Sequence, residues 1–176
     1  MKRFFPAICA LLFSAACDRG PEARSILDAA ALYSEYPAAF ETIRSAYPGP
    51  FPEFARIPAR DPADATDRDN DFLKRLQREI PVDFIDFHPI GDADGDWGGD
   101  EIDVVLKRYG AGDKWITVSL VYFSVPLSIA DNDPNVLLFK TCDQKAADWL
   151  GDKPPSVTRT AFCQINSHWY AYQKVE

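Results

Sequence analysis

Two periodicities and one loop place the chain in the α+β class. Apolar residues recur at helical spacing through the first half, and strand-like alternation fills the second. An Asp/Gly-rich stretch, Gly91 to Glu101, divides them. The expected architecture is a set of N-terminal helices packed on one face of a mainly antiparallel sheet of five to six strands, carrying one disulfide.

The helices follow from local signals. Ser25 and Asp28 have the spacing of a capping box, and Ile26, Leu27, Ala30, Ala31 and Tyr33 suggest one buried face. Pro37 suits a first helical turn, and Phe40, Ile43 and Tyr47 continue the second helix. A third is expected from about Asp67 to Ile80, with acidic residues at its positive dipole end and Phe72, Leu73, Leu76 and Ile80 as its stripe. Pro81 stops it. Between the second and third, the five prolines from Pro48 to Pro62 read as one long loop. Its apolar Phe51, Phe54 and Ile57 either pack over the core or form a partner-binding strip.

Strands are expected at 82–87, 102–109, 115–125, 136–142, 157–165 and 168–175, joined by turns at Gly110-Ala111-Gly112-Asp113, Asp131-Asn132-Asp133-Pro134 and Asn166-Ser167. Residues 144–150 read as a short helix closed by Gly151. There is no internal repeat.

The N-terminus has a basic start at Lys2 and Arg3, an apolar run from Phe4 to Phe13 and a small-residue end, the layout of a secretory signal peptide over residues 1–16. That run is too short for a permanent span. Its end, Phe13-Ser14-Ala15-Ala16-Cys17, resembles the lipobox of bacterial lipoproteins, with Ser14 where a leucine is usual. The resemblance implies that Cys17 is lipidated and opens the mature chain, with residues 17–24 as a tether and 25–176 as one domain. It also implies a cell-envelope location on the periplasmic side, anchored by the N-terminal lipid to the inner or outer membrane.

Cysteine arithmetic agrees with an exported chain. Cys9 leaves with the signal, Cys142 and Cys163 remain to pair where disulfides persist, and Cys17 is left over; acylation explains it, while Ser14-x-Ala16 also suits an ordinary signal peptidase, which gives the same mature start without the lipid. Removing Lys2 and Arg3 leaves 17 basic against 27 acidic residues, a formal charge of −10. An acidic surface of that size argues against nucleic acid as a partner.

The dividing loop is the one stretch with a chemical pattern. Asp92, Asp94, Asp96 and Asp100 occupy positions 1, 3, 5 and 9 among glycines, a spacing that lets carboxylates converge on Ca²⁺. The loop resembles the aspartate-rich calcium loops of integrin-type repeats and, more loosely, an EF-hand loop. Asp92, Asp94, Asp96, Gly98 and Asp100 are the candidate ligands. Trp97 replaces the EF-hand's sixth-position glycine and Asp103 its bidentate glutamate, and a plain Asp/Gly turn explains the same residues.

The chain lacks a Gly-x-Ser-x-Gly elbow, a His-Glu-x-x-His, a phosphate-binding glycine loop and a Cys-x-x-Cys. Its two histidines, His88 and His168, sit at strand ends. The expectation is therefore a non-catalytic envelope lipoprotein that binds an envelope protein or a small ligand, with Ca²⁺ as its candidate cofactor. The alternatives are an exported hydrolase assembled from dispersed residues such as His88 and Ser119, and a purely structural subunit of an envelope complex.

Overall fold

A computed structural model of the chain describes residues 23–61, 63–89, 101–111, 114–128, 134–151 and 157–176. Among these described residues the class is α+β, with four helices and a seven-stranded mixed sheet. The elements are α1 (Ile26–Glu35), α2 (Pro37–Ala46), β1 (Ala55–Ile57), α3 (Asp67–Leu76), β2 (Phe84–His88), β3 (Glu101–Ala111), β4 (Lys114–Phe123), β5 (Val136–Phe139), α4 (Gln144–Gly151), β6 (Arg159–Gln164) and β7 (Trp169–Val175).

Strand order across the sheet is β1-β2-β3-β4-β7-β6-β5. Every pairing is antiparallel except that of β5 with β6, which α4 connects. The count corrects the expected five to six strands, and the helices are not all N-terminal. The added strand is β1, inside the proline-rich loop. Prolines forbid a central strand but are compatible with an edge, where one side of the backbone needs no partner.

The caps form as the side chains dictate. Ser25 Oγ accepts from Asp28 N–H at 3.2 Å and donates to Asp28 Oδ2 at 2.9 Å. Thr66 does the same for α3 with Asp69. In α1 the buried residues are Ile26, Ala29, Leu32 and Tyr33, so the stripe is rotated from the expected one and leaves Ala31 exposed.

All four helices lie against the face of the sheet that carries Ile85, Phe87, Ile102, Val104, Leu120 and Ala171. Trp169 is the centre of that core. Its ring lies 5.7 Å from both Tyr33 and Phe40, and its Nε1–H donates to Glu41 Oε1 at 3.0 Å. Burial pushes the Glu41 carboxyl up, but the bonds from Arg44 and Trp169 outweigh it and leave the group below its ordinary value.

Cys142 and Cys163 form the expected disulfide, which ties the start of α4 to β6. Arg159 secures the other end of α4, its guanidinium lying 4.6 Å from the Trp149 ring centre and donating to the Trp149 carbonyl. A bulge between Val105 and Lys107 breaks the alternation of β3. Gly110 is needed near the hairpin end, where a Cβ would lie 1.9 Å from the Lys114 carbonyl oxygen. Among the described residues, no helix is long and apolar enough to cross a membrane.

The opposite face divides in two. Towards β6 it is apolar, with Val121, Phe123, Leu127, Phe162 and Tyr170 clustered together. Towards β1 it is charged.

Candidate functional site

The sheet ends at β1, and a cleft of about 710 Å³ lies along that edge, between the segment around Phe51 to Asp61 and the first turns of α3. Three of its lining rings, Tyr47, Phe51 and Phe87, form one connected cluster with Phe72 behind them, and Phe54 stands apart. Phe87 contacts Tyr47 at 4.8 Å and Phe51 at 5.2 Å between ring centres, and Tyr47 contacts Phe72 at 5.3 Å. On the α3 side, Tyr47 donates to Asp69 Oδ1 at 2.5 Å, and Thr66 donates to Asp69 Oδ2 at 2.6 Å. Burial and the Asp69 carboxylate together push the Tyr47 phenol well above its ordinary value, so it remains a donor.

Phe51, Phe54 and Ile57 all line this cleft, at three different depths. Ile57 is buried in the core, Phe51 is half-buried against Phe87, and Phe54 is 40% exposed. The Phe54 ring also meets His88 at 5.1 Å, with the guanidinium carbons of Arg56 and Arg60 about 6 Å from its centre.

Arg56 connects the cleft to the charged face. Its side chain turns to the side away from the helices, lies 4.0 Å over the Phe84 ring and makes a two-pronged ion pair with Asp86. Register then builds a row across the sheet: Arg56 opposes Asp86, Asp86 opposes Asp103, and Asp103 opposes Val121. Directly opposed residues share a face, so both aspartates lie side by side with one guanidinium between them and the sheet edge. Glu101, two residues before Asp103, shares that face and stands opposite His88.

The crowding shows in proton affinity. Burial, then the Asp103 and Asp86 charges, raises Glu101 to about 8. Burial raises Asp103 to about 7 and Asp86 adds to it, while the Ser119 hydroxyl and Arg56 pull the other way. Ser119 is fully buried on β4, and its hydroxyl is the hydrogen-bonding group that favours the ionised Asp103, although the contact between the enclosed Ser119 Oγ and Asp103 Oδ1 falls short of full hydrogen-bond geometry. Tyr172, directly opposite Ser119, is raised strongly by burial and then by the neighbouring carboxylates.

His88 and Ser119 are not brought together. Ser119 opposes Val105, which opposes Phe84, four positions along β2 from His88. Four strand positions span about 13 Å, too far for a base and its nucleophile. His168 is occupied structurally, with Nδ1 2.9 Å from the Phe123 carbonyl oxygen and its ring stacked on Tyr122.

Comparison with protein-family models, curated proteins and solved structures finds no match. The site must therefore be read from its own chemistry. Cys17 and the candidate calcium ligands Asp92, Asp94, Asp96, Gly98 and Asp100 lie outside the described residues. Among the described residues, no group of three or more His, Cys, Asp or Glu side chains is arranged to hold a metal ion.

Of the carboxylate row the sequence drew attention to Asp103 alone, at the place of an EF-hand's bidentate glutamate, and not to its pairing with Asp86. A signal existed: Asp86 sits between Ile85 and Phe87, and Asp103 between Ile102 and Val104, so each interrupts a strand at a period-two position. What the linear chain lacks is the register that sets these positions opposite each other.

Proposed function

We propose that this protein is a non-catalytic binding module of the bacterial cell envelope, anchored through a lipid on Cys17, whose edge cleft takes an extended segment of a partner polypeptide. The observation that carries the reading is the position of the cleft. It runs along β1, the last strand of the sheet, whose outer side has no neighbouring strand among the described residues. An extended chain can pair with such an edge through its backbone and place alternate side chains in adjoining pockets. Here the Tyr47, Phe51, Phe54 and Phe87 rings supply the apolar surface, and large apolar contacts of this kind dominate the energetics of recognition.

Catalysis is the weaker reading. Among the described residues that line the cleft there is neither histidine nor cysteine, and one of its carboxylates, Asp69, already accepts from Tyr47 and Thr66. The acidic loop adds a second element to the proposal, a Ca²⁺ site that stiffens the junction between the two halves of the chain. A Ca²⁺-selective rise in melting midpoint, with Mg²⁺ as control and EDTA as baseline, supports that element; an unchanged midpoint removes it.

The cleft is tested by placing a photo-crosslinking phenylalanine analogue at position 54 of the lipidated protein in the exporting cell. A discrete adduct, mapped to an extended stretch of one envelope protein and weakened by Phe51→Ala, is the expected result. Crosslinking to lipid alone, or an adduct indifferent to Phe51, overturns it.

A further inference from the structure

We infer that the β3–β4 hairpin end of the sheet, at Arg108, Lys114 and Trp115, is a second docking surface, which seats the domain on the anionic phospholipid surface of its own membrane. This inference rests on the lipid anchor proposed at Cys17 and is independent of the polypeptide proposed for the edge cleft.

The start of the domain is fixed to this end of the sheet. Tyr109 Oη, on β3, donates to the Arg24 carbonyl oxygen at 2.8 Å, and the Ile26 N–H that opens α1 donates to Gln173 Oε1 on β7 at 2.8 Å. Arg24 thus lies beside the hairpin whose last paired residues are Ala111 and Lys114. Six residue steps separate Ala23 from Cys17, and a chain of that length extends at most about 21 Å. A lipid on Cys17 therefore holds this end of the domain within that distance of the headgroups.

The surface there has the chemistry of a membrane interface. Trp115 is 39% exposed, whereas Trp169 is buried and Trp149 half-buried. The Arg108 guanidinium carbon lies 5.3 Å from the Trp115 ring centre, and Arg108 and Lys114 are both exposed. Arg108 and Lys174 oppose Thr117 from its two sides, and Trp115 is two positions along β4, so all three side chains share one face. Tryptophan, with an apolar body and one N–H, settles at the headgroup level, and basic side chains are drawn to anionic lipids beside it.

Charge sets this end apart in a chain with 27 acidic and 19 basic residues. Among the described residues, Arg24, Lys107, Arg108, Lys114 and Lys174 meet only Asp28, Asp83 and Glu176 here. Those acids are engaged locally: Asp28 accepts from the Arg24 N–H and from Ser25 Oγ, Asp83 accepts from the Arg108 N–H, and Glu176 lies 2.5 Å from Lys174 Nζ. An acidic domain is repelled by an anionic bilayer, and an end with a basic excess is what lets it approach. The edge cleft opens at the other end. Phe123, eight residues and roughly 26 Å along β4 from Trp115, opposes Glu101, which opposes His88, and Phe54 rests on His88. Phe54 therefore faces away from the bilayer, towards envelope proteins.

The test uses the protein purified from the exporting cell and placed on vesicles of phosphatidylcholine alone or of equal parts phosphatidylcholine and phosphatidylglycerol, with flotation to confirm attachment. Hydroxyl-radical footprinting read by mass spectrometry follows Trp115 and Phe54 in the same unsubstituted chain. On the mixed vesicles Trp115 oxidation is expected to fall at least about threefold relative to phosphatidylcholine, with Phe54 unchanged, and high salt should reverse the protection. Arg108→Gln combined with Lys114→Gln should remove most of it. A chain that carries the lipid and floats, yet shows Trp115 equally reactive on both vesicles, overturns this inference and leaves the anchor standing. A chain whose Cys17 carries no lipid overturns the anchor and this inference together. Protection that grows with the ratio of protein to lipid marks contact between copies and also overturns it.

Discussion

Asp86 and Asp103 stand directly opposite each other on β2 and β3, and Arg56 binds the first but not the second. Two adjacent carboxylates with one guanidinium, on the outer side of Asp86, make this face sensitive to protons and to any change at Arg56. Like charges directly opposed across a strand pair destabilise a sheet, and burial amplifies the effect.

Stability should therefore fall as pH rises through neutrality. In the unfolded chain both Asp103 and Glu101 lose their protons near pH 4, whereas in the folded chain they hold them to about 7 and about 8. Between those limits the folded state binds more protons. The stabilising contribution is thus complete below the unfolded values and is lost as pH rises through the folded ones. Urea midpoints measured at roughly pH 5.5 and pH 8.5 should show the decline, and Asp103→Asn should flatten it. A midpoint that rises over this window contradicts the account.

Arg56→Ala leaves Asp86, only 6% exposed, without its cation. Breaking a buried pair from one side costs about 3–5 kcal/mol, because the remaining charge stays desolvated. Arg56→Lys should lie between the two, since an ammonium keeps the charge but not the two-pronged geometry. Equilibrium denaturation measures both, and the double replacement Arg56→Met with Asp86→Leu should recover most of the loss.

Phe40 is completely buried between Tyr33 and Trp169, at 5.4 Å and 5.7 Å between ring centres. Phe40→Ala removes both ring contacts and leaves a cavity at the α1–α2–β7 junction, for an expected loss of about 3–5 kcal/mol. Trp169 fluorescence, recorded through the unfolding transition, reports the same site directly. A loss below about 1 kcal/mol means that the helices collapse to refill the space.

The Cys142–Cys163 bridge closes a loop of 21 residues in sequence separation. Its removal by paired Cys→Ser replacement should lower stability by about 3 kcal/mol, chiefly through the greater freedom of the unfolded chain. Calorimetry of the oxidised protein against the double variant checks the magnitude. Because the bridge joins the segment just before α4 to β6, the cleft at β1 should keep its ligand affinity in that variant.

The capping residue Ser25, the stripe of α3, the β6–β7 hairpin and the cysteine pair were all legible in the linear chain. Each is a local pattern, in which the causes lie within a few residues of the effect, or a count that permits one answer. The expectations that changed depend on distant neighbours. β1 was hidden among prolines, because whether a short extended segment becomes a strand is decided by β2 lying beside it. The face of α1 rotated because the sheet and the other helices, not its own sequence, select which residues are covered.

The candidate sites divide along the same line. Composition and spacing determined the class of fold, the disulfide and the apolar residues of the 48–62 segment. Only the tertiary structure decided that Phe51, Phe54 and Ile57 line one cleft with Tyr47 and Phe87, and that Arg56, Asp86 and Asp103 form one row. Strand register is the physical reason. A shift of one residue in the β2–β3 pairing leaves the sequence untouched, yet it moves Asp103 from opposite Asp86 to opposite a core position, and the row does not exist.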